Sequence, residues 1–305
     1  MSGLFDHRQV GRAFSRAAAH YDEAAALQRE VGERLAESLA YYEDPALGAR
    51  TPGVVLDVGC GTGHGTAVLQ ARWPKAQVIG LDLAPGMAHE ARRRLGVRRG
   101  LFDFARRPTI VCGDAAALPL REGSVDVLFS NLCLQWIDDL PAVFAGFRRV
   151  LKPDGLLLVS TFGAQTLVEL REAFAQADEA PHVSPFIDIA GFGDALIAAG
   201  FRDPVLDRDV FRLGHPDLAS VMRELRTLGA TNAATTRRRA LTGRSRFSRA
   251  SAAYEAMRDP RGELPVTWEV IYAQAWGPPP GAPIRVGGME EVRVPVSAIP
   301  IRRRG

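Results

Sequence analysis

Between residues 50 and 165 the apolar residues come in short, nearly unbroken runs, each followed by a stretch with apolar positions at helical spacing. The runs predict strands at Val54–Val58, Gln77–Asp82, Thr109–Cys112, Val125–Ser130 and 156–161. The stretches between them predict helices at 66–72, stopped by Pro74, at Pro85–Leu95 and over about 140–151, after which Lys152-Pro153-Asp154-Gly155 reads as a turn. Strands that are apolar throughout are covered on both faces, so the alternation predicts a parallel sheet wound with helices.

After Thr161 the rhythm changes. A helix is expected over about 165–178, with Leu167, Leu170, Phe174 and Ala177 at helical spacing, and another over 192–200. Strands are expected at 205–211 and 266–276, with a long helical insertion, about 217–257, between them. The first 45 residues also read as helical, with Leu27, Val31, Leu35 and Leu39 on one stripe. Helices outside a seven-stranded sheet predict a cap over its C-terminal edge, where open α/β sheets bind ligands. From Gly277 the chain runs Gly-Pro-Pro-Pro-Gly-Ala-Pro and reaches Arg302-Arg303-Arg304, so a disordered or surface-hugging tail without assigned function is expected.

Composition adds limits. The 305 residues are 47% hydrophobic and 24% charged, ordinary for a soluble globular protein. No apolar run approaches the roughly 18–20 residues that span a bilayer, and residues 1–8 lack the apolar stretch of a signal peptide. Cys60, Cys112 and Cys133 fit no metal spacing and cannot all pair, which implies reduced thiols in a cytoplasm. Cys112 and Cys133 stand in apolar contexts and read as core fillers. A net charge of +3 is too small to argue for nucleic acid. Its distribution is uneven: Arg237, Arg238, Arg239, Arg244, Arg246 and Arg249 occur in one stretch without an acid. Such a run is either a solvated helix face or a docking patch for an acidic partner.

The chemistry centres on Asp57-Val58-Gly59-Cys60-Gly61-Thr62-Gly63, directly after the first predicted strand. The G-x-G-x-x-G pattern fails because position 64 is His, which argues against a dinucleotide pyrophosphate. Alternate glycines instead let the backbone approach a flat nucleoside and an amino-acid tail, as S-adenosylmethionine (SAM) requires. Asp57 is placed to accept from the SAM ammonium. Asp82, at the end of the second strand and nineteen residues beyond Gly63, suits the two ribose hydroxyls. Asp114 and Ala115 follow the third strand, where the carboxylate suits the adenine amino group or caps the next segment. Leu83 and Met87 would give apolar contact to adenine and sugar. Asn131, Leu132 and Gln135, after the fourth strand, would face the crevice beside the methyl group.

Over about residues 50–165 these motifs resemble the class I SAM-dependent methyltransferases, which implies an α/β, Rossmann-like seven-stranded sheet. The flanks resemble a narrower family, the malonyl-[acyl-carrier protein] O-methyltransferases of biotin synthesis. The resemblance lies in Phe14-Ser15-Arg16-Ala17-Ala18-Ala19-His20-Tyr21-Asp22, Leu27-Gln28-Arg29-Glu30-Val31, Asn131-Leu132-Cys133-Leu134-Gln135-Trp136 and Ser160-Thr161-Phe162-Gly163. It continues in Thr166-Leu167-Val168-Glu169-Leu170-Arg171, Leu228-Gly229-Ala230-Thr231-Asn232 and Leu264-Pro265-Val266-Thr267-Trp268-Glu269. The implied organisation is an N-terminal helical lid (1–48), a SAM-binding core (49–165), core completion with a helical linker (166–213), a helical cap insertion (214–262), the last core strand (263–276) and the tail (277–305).

The family resemblance implies methylation of the free carboxyl of a malonyl thioester on an acyl carrier protein, or on coenzyme A, with SAM as donor. A carboxylate is ionised at neutral pH, so no general base is needed, and rate should come from in-line positioning and exclusion of water. An arginine fork is suited to orienting the carboxylate; the candidates are Arg226 first, then Arg223 and Arg171. Tyr21 would lie over the cofactor with its hydroxyl toward the carboxylate. The carrier protein of this pathway is acidic, which gives the arginine run a candidate partner. Two other readings stay open: a complex I assembly-type relative that hydroxylates arginine, which His182-Val183-Ser184-Pro185-Phe186 also resembles, and another small-acid O-methyltransferase.

Overall fold

A computed structural model describes residues 4–96, 106–230, 233, 235, 243–279, 282, 284–286 and 289–291. The chain forms β1 (Val54–Val58), β2 (Gln77–Asp82), β3 (Thr109–Cys112), β4 (Val125–Ser130), β5 (Leu151–Phe162), β6 (Arg202–His215) and β7 (Leu264–Trp276). They make one seven-stranded sheet in the order β3-β2-β1-β4-β5-β7-β6. The first five strands are parallel, and β7 runs antiparallel between β5 and β6. The order reverses between β1 and β4, and the crevice outside the carboxyl ends of those strands is where such sheets take ligands.

The apolar runs are continuous because successive residues feed opposite cores. Leu56, Leu128, Leu157 and Val159 bury into one face, with Phe144 and Phe147 from the helix Leu140–Val150 and Phe192 from Ile189–Ala198. Their neighbours Val55, Val127, Leu156 and Leu158 bury into the other, with Leu35, Leu39, Leu69 and Trp73. The period-two geometry of a strand permits this without a polar position. Within Leu140–Val150 the buried Val143, Phe144, Phe147 and Val150 form one helical stripe, and Asp139 caps the helix by accepting from Ala142 N at 2.9 Å.

A third cluster lies beyond the end of β5. Phe162, Leu170 and Phe174 meet Leu218, Val221 and Leu225 of the helix Leu218–Thr227, Tyr254 of the helix Arg244–Glu255, and Trp268 and Val270 of β7. Leu27 and Val31 of the N-terminal stripe join this cluster, while Leu35 and Leu39 join the sheet. One amphipathic segment thus reaches from the sheet to the helices at its edge.

Three expectations are corrected. Lys152-Pro153-Asp154-Gly155 does not precede β5 but lies inside it, as an excursion between the pairs Val125↔Leu151 and Val127↔Leu156. It is held because Asp154 N donates to Gly277 O at 3.0 Å and Gly277 N to Gly155 O at 2.8 Å. Cys112 is exposed, not core, because β3 is an edge strand. The region after Gly277 contains regular structure, a short antiparallel pair of strands Ile284–Val286 and Met289–Glu291. Among the described residues no helix is long and apolar enough to cross a membrane.

Candidate active site

The turn after β1 is built on backbone that only glycine adopts freely: φ is +72° at Gly59, +54° at Gly61 and +86° at Gly63. Gly59 N and Cys60 N donate to Leu81 O at 2.7 and 3.0 Å, tying the turn to β2. Gly61 N donates to Asp82 Oδ2 at 2.8 Å, and the other oxygen, Oδ1, accepts from Ala84 N at 2.8 Å. Asp82 therefore joins the glycine turn to the start of the helix Pro85–Leu95.

Asp57 is buried, and its Oδ2 accepts from Thr66 Oγ1 at 2.6 Å. Burial pushes its carboxyl up to about 7 against the pull of the Thr66 bonds, and the nearby Asp82 adds to the rise. Burial likewise raises Asp82, offset by its bonds from Ala84 and Gly61. Two carboxylates are thus held close in low dielectric, a setting that favours a cation. Cys60 and Cys133 are pushed up by burial, Cys133 to about 12, so both remain neutral thiols at neutral pH.

A crevice over this turn is lined by Tyr21, Asp57, Gly59, Cys60, Gly61 and Asn131, all expected in the site, together with Gln28 and His64. Gln28 Oε1 and His64 Nε2 are buried there without a partner. The residues fit SAM: glycines that let a ligand close, a buried acid for the ammonium and two orphaned polar atoms in the wall. Burial and the neighbouring Asp82 hold the Tyr21 hydroxyl protonated.

The other residues expected in the site, Gly63, Asp82, Leu83, Met87, Asp114, Ala115 and Leu132, do not line this crevice. Met87 is 1% exposed and packs with Ala18, Phe14 and Tyr21. Leu83 lies under Gly11 of the first helix, His7–Ala17. Asp114 accepts from Ala116 N at 2.9 Å, capping the turn Ala115–Ala117, whose Ala115 is buried. Leu132, at φ +47°, donates its N–H to Ser160 O and Oγ. Asn131 Nδ2 donates to Gln28 O at 2.8 Å, and Oδ1 accepts from Ser160 Oγ at 2.8 Å.

Gln135 does not line this crevice. It lines a second one with Arg226, His182, Phe162, Phe174 and Trp268. Arg226 is exposed at its rim, whereas Arg223 is exposed and lines neither crevice. Arg171 is engaged locally, donating from Nη2 to Ala164 O at 2.7 Å. His182 stacks on Phe174 at 4.2 Å and bonds Asp178 Oδ1 at 2.8 Å.

Sequence reasoning missed the bonds that close the lid. Asp22 accepts from Thr62 Oγ1 at 2.6 Å and from Arg94, and its backbone O accepts from Arg29 at 2.6 Å. Farther back, Gly86 sits against the first helix so closely that a Cβ there would lie 2.6 Å from Ser15 O and 2.7 Å from Ser15 Cα. Gly86→Ala should therefore lift that helix, so limited proteolysis within residues 1–20 should accelerate and SAM affinity should fall by roughly tenfold. Unchanged proteolysis and affinity would show that the contact is not needed for closure.

Several motif residues prove to be structural. Thr166 Oγ1 donates to Glu269 O at 3.0 Å, Gln165 N to Glu269 Oε2 at 2.6 Å and Thr267 N to Glu169 Oε2 at 3.0 Å. This knot fixes β7 against the loop after β5. The arginine run is partly structural too: Arg246 pairs with Asp178 at 3.5 Å and Arg249 donates to Ala177 O at 2.7 Å, while Arg244 is exposed. Arg237, Arg238 and Arg239, like Thr231 and Asn232, lie outside the described residues.

The methyltransferase domain family matches residues 56–159. The chain is 54% identical over 304 residues to the malonyl-[acyl-carrier protein] O-methyltransferase of Xylella fastidiosa, covering 100% of this chain and 99% of that one. It is 37% identical over 272 residues to the biotin biosynthesis bifunctional protein BioHC of Saccharophagus degradans, covering 87% of this chain and 46% of that one. The solved structure of the YcgJ protein of Bacillus subtilis has a TM-score of 0.54 at 17% identity, covering 80% of this chain and 98% of that one, and shares the fold. These relationships favour the first of the three readings over the complex I assembly type and the unrelated small-acid enzyme. The chain belongs to the malonyl-[acyl-carrier protein] O-methyltransferase family and has the Rossmann-like sheet of a class I SAM-dependent methyltransferase.

Proposed function

We propose that this protein methylates the free carboxylate of a malonyl thioester carried on an acyl carrier protein, as an early step of biotin synthesis. One observation carries the reading: two crevices open near the carboxyl ends of β4 and β5, one lined by Gly59, Gly61, Asp57 and Asn131, the other by Phe162, Phe174 and Trp268 with Arg226. The full-length relationship to an enzyme of that name supports it.

When bound, SAM supplies an electrophilic methyl group on a sulfonium. Asp57 holds the ammonium, Asp82 the ribose, and Gly59, Gly61 and Gly63 let the backbone lie against the ligand. Cys60, Leu83, Met87, Asp114, Ala115, Asn131 and Leu132 complete the surroundings on this reading. The substrate carboxylate is its own nucleophile, so the chain needs to move no proton from it. Tyr21 stays protonated and serves as a donor to the carboxylate, and its segment, pinned by Asp22 to Thr62, excludes water. Arg226 orients the carboxylate from the second crevice. Arg244 and the arginines before it give the acidic carrier a place to dock.

The direct test is to incubate the protein with SAM and malonyl-carrier protein and to measure the mass of the carrier. A gain of one methylene is expected; no gain sinks the proposal. Arg226→Ala should raise the KM for the malonyl thioester roughly 10- to 100-fold, as for a lost charge-assisted hydrogen bond, and leave SAM affinity unchanged. Unchanged malonyl-thioester kinetics would remove Arg226 from the site.

A further inference from the structure

The second crevice holds two buried polar atoms that no protein group satisfies. Trp268 is 4% exposed and lines the crevice, yet its Nε1–H, which can only donate, has no partner. Gln135 Nε2 donates to Leu132 O at 2.7 Å. A carbonyl only accepts, so this bond fixes the carboxamide and leaves Oε1 as an acceptor, also buried and unpartnered. Native proteins rarely leave such atoms unpaired, and two in one apolar crevice point to a ligand with one acceptor and one donor.

Both groups are held in place before any ligand arrives. The Trp268 ring lies 4.9 Å from that of Phe162, and its neighbours Thr267 and Glu269 are fixed by Glu169, Thr166 and Gln165. Gln135 belongs to the turn Leu134–Trp136, and Trp136 packs edge-on to Phe14 at 5.4 Å.

We propose that Trp268 Nε1–H donates to the thioester carbonyl oxygen of the acyl substrate and that Gln135 Oε1 accepts from an amide N–H of the arm that carries it. This rests on the malonyl-thioester reading above and extends it to specificity. A free dicarboxylate offers only acceptors and would set negative charge against Gln135 Oε1, so the pair selects acids that are already thioester-linked to an amide-bearing arm.

The test compares two substrates at saturating SAM: malonyl-pantetheine, which has the amides, and the S-ethyl thioester of malonate, which has the carbonyl alone. Trp268→Phe should raise KM for both, roughly tenfold. Gln135→Met should raise it several-fold for malonyl-pantetheine and leave the S-ethyl thioester unchanged. Both variants should keep the SAM affinity and melting temperature of the native protein, which also separates Gln135 from a role in holding SAM. Equal losses on the two substrates in Gln135→Met, or no loss on either in Trp268→Phe, would overturn the assignment. If Trp268→Phe does not fold, the substrate pair with Gln135→Met decides. If the native protein turns over neither thioester, the substrate reading fails first and this inference falls with it.

Discussion

Replacing Asp57 by asparagine is expected to reduce SAM affinity by 100-fold or more, while making the cofactor-free protein more stable at pH 8. The two effects have one cause. Burial raises the folded-state carboxyl from 3.8 to about 7, so the folded protein holds a proton there that the unfolded chain releases at lower pH. The contribution to stability is fully present below the unfolded value, declines as pH rises between these values and is lost above the higher one. At pH 8 the ionised carboxylate costs up to about 4 kcal/mol relative to a neutral group of the same shape. Asparagine removes that cost and still accepts from Thr66, so the variant should melt above the native protein at pH 8 and level with it near pH 4. A SAM ammonium would answer the charge that asparagine lacks. In the native protein SAM affinity should therefore rise about tenfold per pH unit below about 7 and flatten above it. Calorimetric titration from pH 5 to 8 checks this; a flat profile would mean that Asp57 does not meet the ammonium.

The second large effect separates folding from binding within one turn. A Cβ at Gly59 would lie 2.5 Å from both Cβ and Sγ of Cys133, at φ +72°. Overpacking and left-handed strain together should cost Gly59→Ala about 3 kcal/mol. At Gly61, φ is +54° and nothing lies within 4 Å of a built Cβ, so Gly61→Ala should lose only about 1 kcal/mol. That Cβ would, however, point into space lined by the crevice residues. Gly59→Ala should thus show a melting temperature lower by several degrees, and Gly61→Ala a near-native melt with SAM affinity reduced at least tenfold. Similar stabilities for the two would contradict the account of the turn.

What could be read in advance follows from how far each signal travels along the chain. β1 to β4 and the glycine turn are written locally, in apolar runs and in residues with the required backbone freedom. β5 begins before its apolar run, at Leu151, because the Lys152–Gly155 excursion is closed by Gly277 from over a hundred residues away. The apolar context of Cys112 says that a strand exists, not whether it has a neighbour on each side, and β3 has one only. Asp22 meets Thr62 and Arg94 across forty and seventy-two positions, with no local mark to announce it. Gln135 looked like part of the cofactor site because it follows β4 closely; one short turn carries its side chain into the other crevice. Arg246 and Arg249 looked free in a run without acids, but their partners sit on the segment just after Phe174.

The lid also bears on how the chain is made. Phe5 N donates to Asp138 Oδ1, Asp6 N to Ala233 O, and Gln28 O accepts from Asn131. On a ribosome these first residues emerge long before their partners, at roughly 5–20 residues per second. By the time β5 is made, Thr62, Arg94, Asn131 and Asp138 are already available to the lid, whereas Ala233 is not. A nascent chain halted between β5 and Ala233 would therefore carry the crevice with most of the lid's bonds available and the Asp6 backbone bond to Ala233 unmade.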